Sequence, residues 1–349
     1  MKNSEGRWEI FDDYVLDFAL EQMRNGVRTA IVTLVEVDGS SPWRPGAQMA
    51  VTEAGQWVGY LSGGCIERAV AAEVGDAFEK GKSRRVRYGR GSPYLDIQLP
   101  CGSAIELVMD IGVTTEELAR VDGLLRRRKE ATLAIPDPVQ SHGTGTATGP
   151  FVRRYLPRRR LVVAGIGPVT VQLARLAKTS GFDVLAAAPD DATLGAIGDS
   201  GIRTLPIHLS GDGAGFDIDA RTAVVLAFHD HEWETGLLPR ILKSDAFYIG
   251  AMGSVTTHQL RIERLKASGA TATEIGRIMS PAGVLSGTKG ATDIAISILA
   301  EIVQEEARTI GPSLLVDPDA HEPTPGELME TVTSLAHCPI GAERRSDWH

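Results

Sequence analysis

The segment Ser62-Gly63-Gly64-Cys65 combines residue types that suit anion and metal chemistry, and it precedes a predicted helix that runs to about Glu79. Two adjacent glycines let successive backbone N–H groups converge on an anion, and the helix dipole adds positive potential there. The same field favours the thiolate form of a cysteine in the first turn, which binds metals or attacks sulfur. The alternative is a small, buried and inert cysteine at a tight corner, and the residues alone leave both interpretations open.

A second glycine turn, Gly165-Ile166-Gly167-Pro168, stands between a predicted strand and a predicted helix. This order is typical of a dinucleotide-binding fold, in which the glycines let a pyrophosphate approach the start of the helix. Two features depart from the pattern, because Thr170 replaces the third small residue and Pro168 lacks an N–H. The acids expected to hold a ribose come late, at 190–191. We therefore expect a Rossmann-like fold with weak or absent NAD(P) binding, or with another ligand.

Two more polar turns follow predicted strands of the second half. His229-Asp230-His231-Glu232 follows the fourth strand, and Gly250-Ala251-Met252-Gly253-Ser254 follows the fifth. Open α/β sheets bind ligands at the carboxyl ends of their strands. Two histidines with neighbouring acids can bind a metal or move protons, but we favour a polar loop.

The remaining cysteines give a weaker signal. Cys101 lies in the turn Pro100-Cys101-Gly102, and Cys338 lies near the end of the chain, where we expect an incidental thiol. Cys65 and Cys101 do not have the spacing of a zinc site.

The composition excludes several classes of partner. The 349-residue chain has a net charge of −9, so we expect neither a nucleic-acid partner nor a membrane surface. No apolar run approaches the ~20 residues that a membrane helix needs, and the N-terminus shows no secretory signal. Three cysteines are too few for a disulfide framework, which predicts a reducing, cytoplasmic location.

The chain length suits two domains of ordinary size, an α/β protein overall. We expect an N-terminal α+β module at 1–150, ending in a stretch rich in Gly, Thr, Ser and Pro. From 151 to 349, strands alternate with helices, which predicts a Rossmann-like, doubly wound parallel sheet. A loose tail is expected from about residue 311.

Six motifs in this order resemble the xanthine dehydrogenase accessory factor family, the maturation proteins of molybdenum hydroxylases. The motifs are Gly39–Ala47, Leu61–Glu67, Pro100–Gly102, His229–Glu232, Tyr248–Ser254 and Ile294–Ile302. The resemblance covers the chain from about Val32 to Ile302.

The resemblance implies a chaperone that binds molybdenum cofactor (molybdopterin), protects it during sulfuration and inserts it into an apo molybdenum hydroxylase like xanthine dehydrogenase. It implies two partners, a cysteine desulfurase and the molybdenum subunit of the hydroxylase, and it leaves a homodimer open. Cys65 is the candidate molybdenum contact and the one candidate for a catalytic role. The candidate cofactor-binding residues are Ser40, Ser41, Arg44, Gly46, Ser62, Gly63, Gly64, Cys65, Glu67, Cys101, Gly165, Gly167, His229, Gly253 and Ser254.

Two other functions remain as alternatives. The Rossmann half suggests an NAD(P)-dependent oxidoreductase, although no Tyr-x-x-x-Lys or similar catalytic pair is visible. A purely structural scaffold would leave the loops at 39–47 and 62–67 unexplained.

Overall fold

The computed structural model describes residues 8, 14–94, 102–136, 138, 151–209, 215–230, 232–285, 287–309 and 314–316. The chain divides into two compact units, of which the first comprises residues 1–157 with 312–349 and the second comprises residues 158–311. Each unit has its own sheet and its own apolar clusters.

A five-stranded antiparallel sheet forms the centre of the first unit. Its strands are β1 (Thr29–Asp38), β2 (Gln48–Thr52), β3 (Trp57–Val58), β4 (Arg84–Gly89) and β5 (Ala104–Asp110), in the spatial order β3-β2-β1-β5-β4. The helices are α1 (Val15–Arg24), α2 (Glu67–Lys80) and α3 (Thr115–Arg126). Two further strands, β6 (Ala131–Ile135) and β7 (Phe151–Tyr155), pair with each other in antiparallel. Helices and antiparallel strands in this arrangement confirm the predicted α+β module.

Strand β1 is buried along its first seven residues because helices cover both faces of the sheet. Successive side chains of a strand point to opposite faces. Val32 accordingly packs with Val74 of α2, whereas Ile31 packs with Phe18 of α1 and Leu118 of α3. Burial on both faces explains why this strand is an almost unbroken apolar run in the sequence.

A six-stranded parallel sheet forms the centre of the second unit. Its strands are β8 (Arg160–Gly165), β9 (Asp183–Ala188), β10 (Arg203–Pro206), β11 (Thr222–Ala227), β12 (Tyr248–Ala251) and β13 (Ile278–Met279), in the order β10-β9-β8-β11-β12-β13. The helices are α4 (Pro168–Thr179), α5 (Asp191–Gly198), α6 (Glu232–Ile241), α7 (Val255–Ala267), α8 (Ala272–Ile275) and α9 (Ala291–Thr309). The strand order reverses between β8 and β11, as in a Rossmann sheet, so the predicted fold is confirmed.

Helices pack on both faces of this sheet. Val162 of β8 lies in one apolar cluster with Leu238 of α6, while its neighbour Val163 lies in another with Leu173 of α4 and Ile298 of α9. Alternating burial of this kind is what a doubly wound sheet requires. Within the described part of the chain, no helix is both long enough and apolar enough to cross a membrane.

The end of the second unit differs from the sequence prediction. The sequence predicts one helix over 272–279, and its capping box between Thr271 and Glu274 is present. The helix nevertheless ends at Ile275, with Gly276 as its C-cap. Residues Ile278–Met279 then pair with β12 as the edge strand β13, because sheet pairing outweighs the helical pattern of so short a segment.

Part of the predicted loose tail is a strand of the first unit. Leu315–Val316 forms β14, which pairs in antiparallel with Val152 and Arg153 of β7. Two residues are too few to give a strand signal in the sequence, so the pairing depends on β7 as a partner. Residues 317–349 lie outside the described residues.

Candidate functional site

The loop that leads into α2 folds around the carboxylate of Glu67, the first residue of that helix. Oε1 of Glu67 accepts the backbone N–H groups of Leu61 at 2.9 Å and Ser62 at 2.8 Å. Oε2 accepts those of Gly64 at 3.0 Å and Ile66 at 3.2 Å. Glu67 is only 2% exposed. The N–H groups of this glycine loop therefore converge on an anion, as the sequence predicts, but the chain supplies that anion itself.

The hydroxyl of Ser62 completes the network. It lies 3.1 Å from Oε2 of Glu67 and accepts the backbone N–H groups of Cys65 and Ile66, both at 3.2 Å. Burial alone raises the pKa of Glu67, but hydrogen bonds from the backbone N–H groups and the Ser62 hydroxyl lower it by more, so the pKa lies below its usual value. An external oxyanion could use these N–H groups only by displacing an ionised carboxylate.

Cys65 is a free and exposed thiol on this loop. Ile66 is the N-cap of α2, so Cys65 lies just before the helix and not in its first turn, where the sequence predicts it. The reason is that Gly63 and Gly64, with φ of +84° and +111°, extend the loop around Glu67 before the helix begins. Exposure of the thiol rules out the alternative of a buried packing cysteine.

The loop between β1 and β2 carries a second set of exposed side chains. Ser40 is exposed, and the hydroxyl of Ser41 accepts the N–H of Trp43 at 3.2 Å. Trp43 is 41% exposed, although the sequence did not single it out as a site residue. Arg44 is also exposed, and its guanidinium makes no hydrogen bond or ion pair with any part of the chain that the structure describes.

The two loops of the first unit lie close to each other at Pro42 and Gly63. A Cβ built on Gly63 would lie 4.0 Å from Cγ of Pro42, which is ordinary van der Waals contact. The far end of the same loop is fixed at Gly46, where φ is +95° and an added Cβ would lie 2.6 Å from Cβ of Leu314. The structure therefore brings the predicted site residues at 40–46 next to those at 62–67.

The glycine turn of the second unit joins β8 to α4. Gly165 lies against Thr170, since an added Cβ would be 2.5 Å from the Thr170 hydroxyl. The N–H of Gly167 donates to the Thr193 hydroxyl at 2.9 Å, and Pro168 has no N–H. The N–H of Gly167 is therefore engaged and Pro168 offers none, so two positions of this turn give no free donor to a pyrophosphate.

One acid does lie beside this turn. Asp190 lines a shallow pocket of about 360 Å³ together with Gly167 and Thr193. Its Oδ1 caps α5 through the N–H of Thr193 at 2.8 Å, while its Oδ2 is buried without a partner in the described structure. An acid is thus present beside the glycine turn, although in the sequence it comes late and follows a proline.

The other candidate residues of this unit lie at the same edge of the sheet. His229 is exposed and follows β11, the neighbour of β8. Gly253 and Ser254 follow β12, and the Ser254 hydroxyl caps α7 by accepting the N–H of Thr257. The structure thus places these residues after adjacent strands, as the sequence predicts.

A buried ion pair fixes the turn that contains Gly253. Arg261 donates to both carboxylate oxygens of Glu234, at 2.6 and 3.0 Å, and both side chains are 2% exposed. The same guanidinium donates to the carbonyl of Met252 at 2.7 Å and to the hydroxyl of Ser280 at 2.9 Å. One side chain therefore ties α6, α7 and two loops together, a role that the sequence did not indicate.

No group of three or more His, Cys, Asp or Glu residues suited to a metal occurs among the described residues. Cys101 and His231, two residues that the sequence motifs suggest, lie outside those residues.

These features define a two-unit α/β protein. It has an exposed thiol on a glycine loop whose N–H groups bind the chain's own Glu67 carboxylate, and a Rossmann sheet whose phosphate-binding turn is modified. Residues 161–302 match the family model described as the XdhC Rossmann domain, and residues 22–89 match that of the XdhC and CoxI family. The chain belongs to this family, which confirms the resemblance seen in the motifs.

Individual relatives cover most of the chain. A protein of Escherichia coli K12 named molybdenum cofactor insertion chaperone PaoD is 34% identical over 87% of this chain and 94% of its own length. A Bacillus subtilis 168 protein, named as a probable subunit of xanthine dehydrogenase, is 27% identical over 84% of this chain and 97% of its own length. A crystal structure described as a xanthine dehydrogenase from Bacillus halodurans has a TM-score of 0.69 and is 20% identical in sequence. The match covers 84% of this chain and 96% of that one, and it supports the fold alone.

Proposed function

We propose that this chain binds molybdenum cofactor as cargo and inserts it into an apo molybdenum hydroxylase of the xanthine dehydrogenase type. The observation that carries the proposal is the 34% identity to a molybdenum cofactor insertion chaperone over 87% of the chain. A match of that extent includes residues of both units, and so it is more than a likeness between Rossmann domains.

The exposed groups of the first unit suit the chemistry of this cargo, which presents a phosphate, a flat pterin and a sulfur-ligated metal. The thiol of Cys65 is accessible, and thiolate sulfur is a ligand for soft metals. The guanidinium of Arg44 has no partner in the described chain, and guanidinium pairs with phosphate through two N–H groups. Cys65 is therefore the proposed contact to molybdenum, and Arg44 the proposed contact to phosphate.

The proposal extends to the steps around delivery. The chain protects the cargo while a cysteine desulfurase provides its sulfur ligand, and then it docks on the molybdenum subunit of the client hydroxylase in the cytoplasm. Gly165, Gly167, His229, Gly253 and Ser254 remain proposed cargo contacts in the second unit, at the carboxyl edge of the sheet.

The direct test is to purify the full chain from a host that makes molybdenum cofactor and to measure released pterin by fluorescence and molybdenum by elemental analysis. We expect both to co-purify, and we expect the loaded protein to activate an apo hydroxylase. The matched control is the same chain from a host that cannot make the cofactor. Protein that carries no pterin from the competent host, and activates no client, would contradict the proposal.

A further inference from the structure

The carboxylate of Glu67 occupies the position that an anionic ligand of the loop would take. Four backbone N–H groups, those of Leu61, Ser62, Gly64 and Ile66, donate to its two oxygens. A buried carboxylate is stable only when such donors replace its water. The loop and the carboxylate therefore depend on each other, since neither would keep this geometry alone.

The carboxylate of Glu67 is linked to Cys65 through the hydroxyl of Ser62. The N–H of Cys65 donates to the Ser62 hydroxyl, and that hydroxyl is itself hydrogen-bonded to Glu67. Cys65 also lies between two residues, Gly64 and Ile66, whose N–H groups donate directly to Glu67. The backbone on both sides of the thiol is thus fixed by a single side chain, while the thiol itself is exposed.

We propose that Glu67 is a positioning residue that fixes Cys65 for its contact with the cargo, and that it closes the N–H groups of this loop to the cargo's phosphate. This inference rests on the proposed function, because it gives Cys65 a cargo to contact. A second anion does not enter a site already filled by an ionised carboxylate, so the phosphate binds elsewhere. Glu67 is consequently not itself a cofactor contact, in contrast to the expectation from the family motif.

The first experiment is a double-mutant cycle on bound pterin. Glu67→Gln keeps the shape of the side chain, but it loses the charge and replaces one acceptor oxygen by a donor. We expect Glu67→Gln to lower retained pterin about tenfold, which is the scale of one lost charge-assisted hydrogen bond. We expect a loss of similar size from Cys65→Ala, because it removes the thiol proposed to contact the metal. The double variant should lose no more than the worse single variant, because Glu67 acts through Cys65. Losses that multiply, or full retention in Glu67→Gln, would overturn the proposal.

The matched control is Glu79→Gln, an exposed acid on the same helix. It should leave pterin retention unchanged. If Glu67→Gln does not fold, Ser62→Ala replaces it in the cycle, since this change removes the hydroxyl that links Glu67 to the N–H groups of Cys65 and Ile66. Thermal unfolding of each variant shows whether a loss of pterin comes from the altered loop or from unfolding of the whole protein.

A second measurement does not need the cargo. In a background of Cys101→Ser and Cys338→Ser, Cys65 is the only thiol, and its rate of alkylation by iodoacetamide reports its surroundings. Loosening of the loop at 61–66 should raise the alkylation rate of Cys65 in Glu67→Gln but not in Glu79→Gln. Amide hydrogen exchange of residues 61–66 should rise in parallel. Equal rates in both variants would refute positioning by Glu67. If wild type carries no pterin while these rates differ, the proposed function fails and the positioning by Glu67 stands.

Discussion

Gly46 and Leu314 are in such close contact that a Cβ on Gly46 would lie 2.6 Å from Cβ of Leu314. Gly46 also has a φ of +95°, which disfavours any other residue. Gly46→Ala should therefore destabilise the protein by about 1–3 kcal/mol through overpacking, in addition to the strain at this φ. Urea unfolding measures the change.

The control for this prediction is Gly55→Ala. Gly55 has a φ of +76°, but an added Cβ would meet nothing within 4 Å. It should show only the backbone strain, about 1–2 kcal/mol. Equal losses at the two positions would mean that Leu314 makes no steric contribution.

The pH dependence of stability should depend on Glu67. Its pKa in the folded protein lies below the usual value of 4.5, so the folded state binds its proton more weakly than the unfolded state does. The carboxylate therefore stabilises the fold above the unfolded pKa, and this contribution is lost as the pH falls through the folded pKa. Wild type should exceed Glu67→Gln in free energy of unfolding by about 1–3 kcal/mol at pH 7. The difference should shrink in acid, and chemical unfolding at a series of pH values would show a constant gap if the prediction were wrong.

The effects of substituting Arg261 and Glu234 on the free energy of unfolding should be strongly coupled. Arg261→Met leaves a buried carboxylate without its partner, which typically costs about 3–5 kcal/mol. The double change Arg261→Met with Glu234→Leu removes both charges and should cost clearly less than the first change alone. Additive losses in a double-mutant cycle would argue against a direct interaction.

Cys65→Ala should leave the melting temperature nearly unchanged, because the thiol is exposed and makes no packing contribution. Bound pterin and client activation should both fall if Cys65 contacts molybdenum. Cys101→Ala is the comparison, and we expect a smaller effect there. Full cofactor loading of Cys65→Ala would end the functional interpretation of this residue.

Binding of NAD(P) should be weak or absent, because Thr193 engages the N–H of Gly167 and Pro168 provides none. Titration calorimetry with NADH and NADPH tests this directly. Low-micromolar affinity would reverse the prediction and favour the oxidoreductase alternative. Thr193→Val, which frees the Gly167 N–H, is the informative variant, since it should raise any residual affinity.

Elements with a repeating sequence pattern could be predicted from the sequence, but the contacts that individual buried side chains make could not. The βαβ alternation gives the parallel sheet, and the glycines at 63–64 reveal an anion-binding loop. Neither pattern shows that Glu67 turns back to supply the anion, because that depends on the path of the loop in three dimensions. The charges of Arg261 and Glu234 also look like ordinary surface residues of two helices until the fold buries them together.

The position of β14 along the chain has a consequence for biosynthesis. Its residues belong to the first unit, yet they follow the whole of residues 158–311. A ribosome therefore completes the parallel sheet before it releases Leu314, which lies against Gly46, and the strand that pairs with β7. Domains commonly fold as they emerge, in order from the N-terminus. Here the unit that begins first is finished last, and a nascent chain stalled at residue 311 would still lack β14.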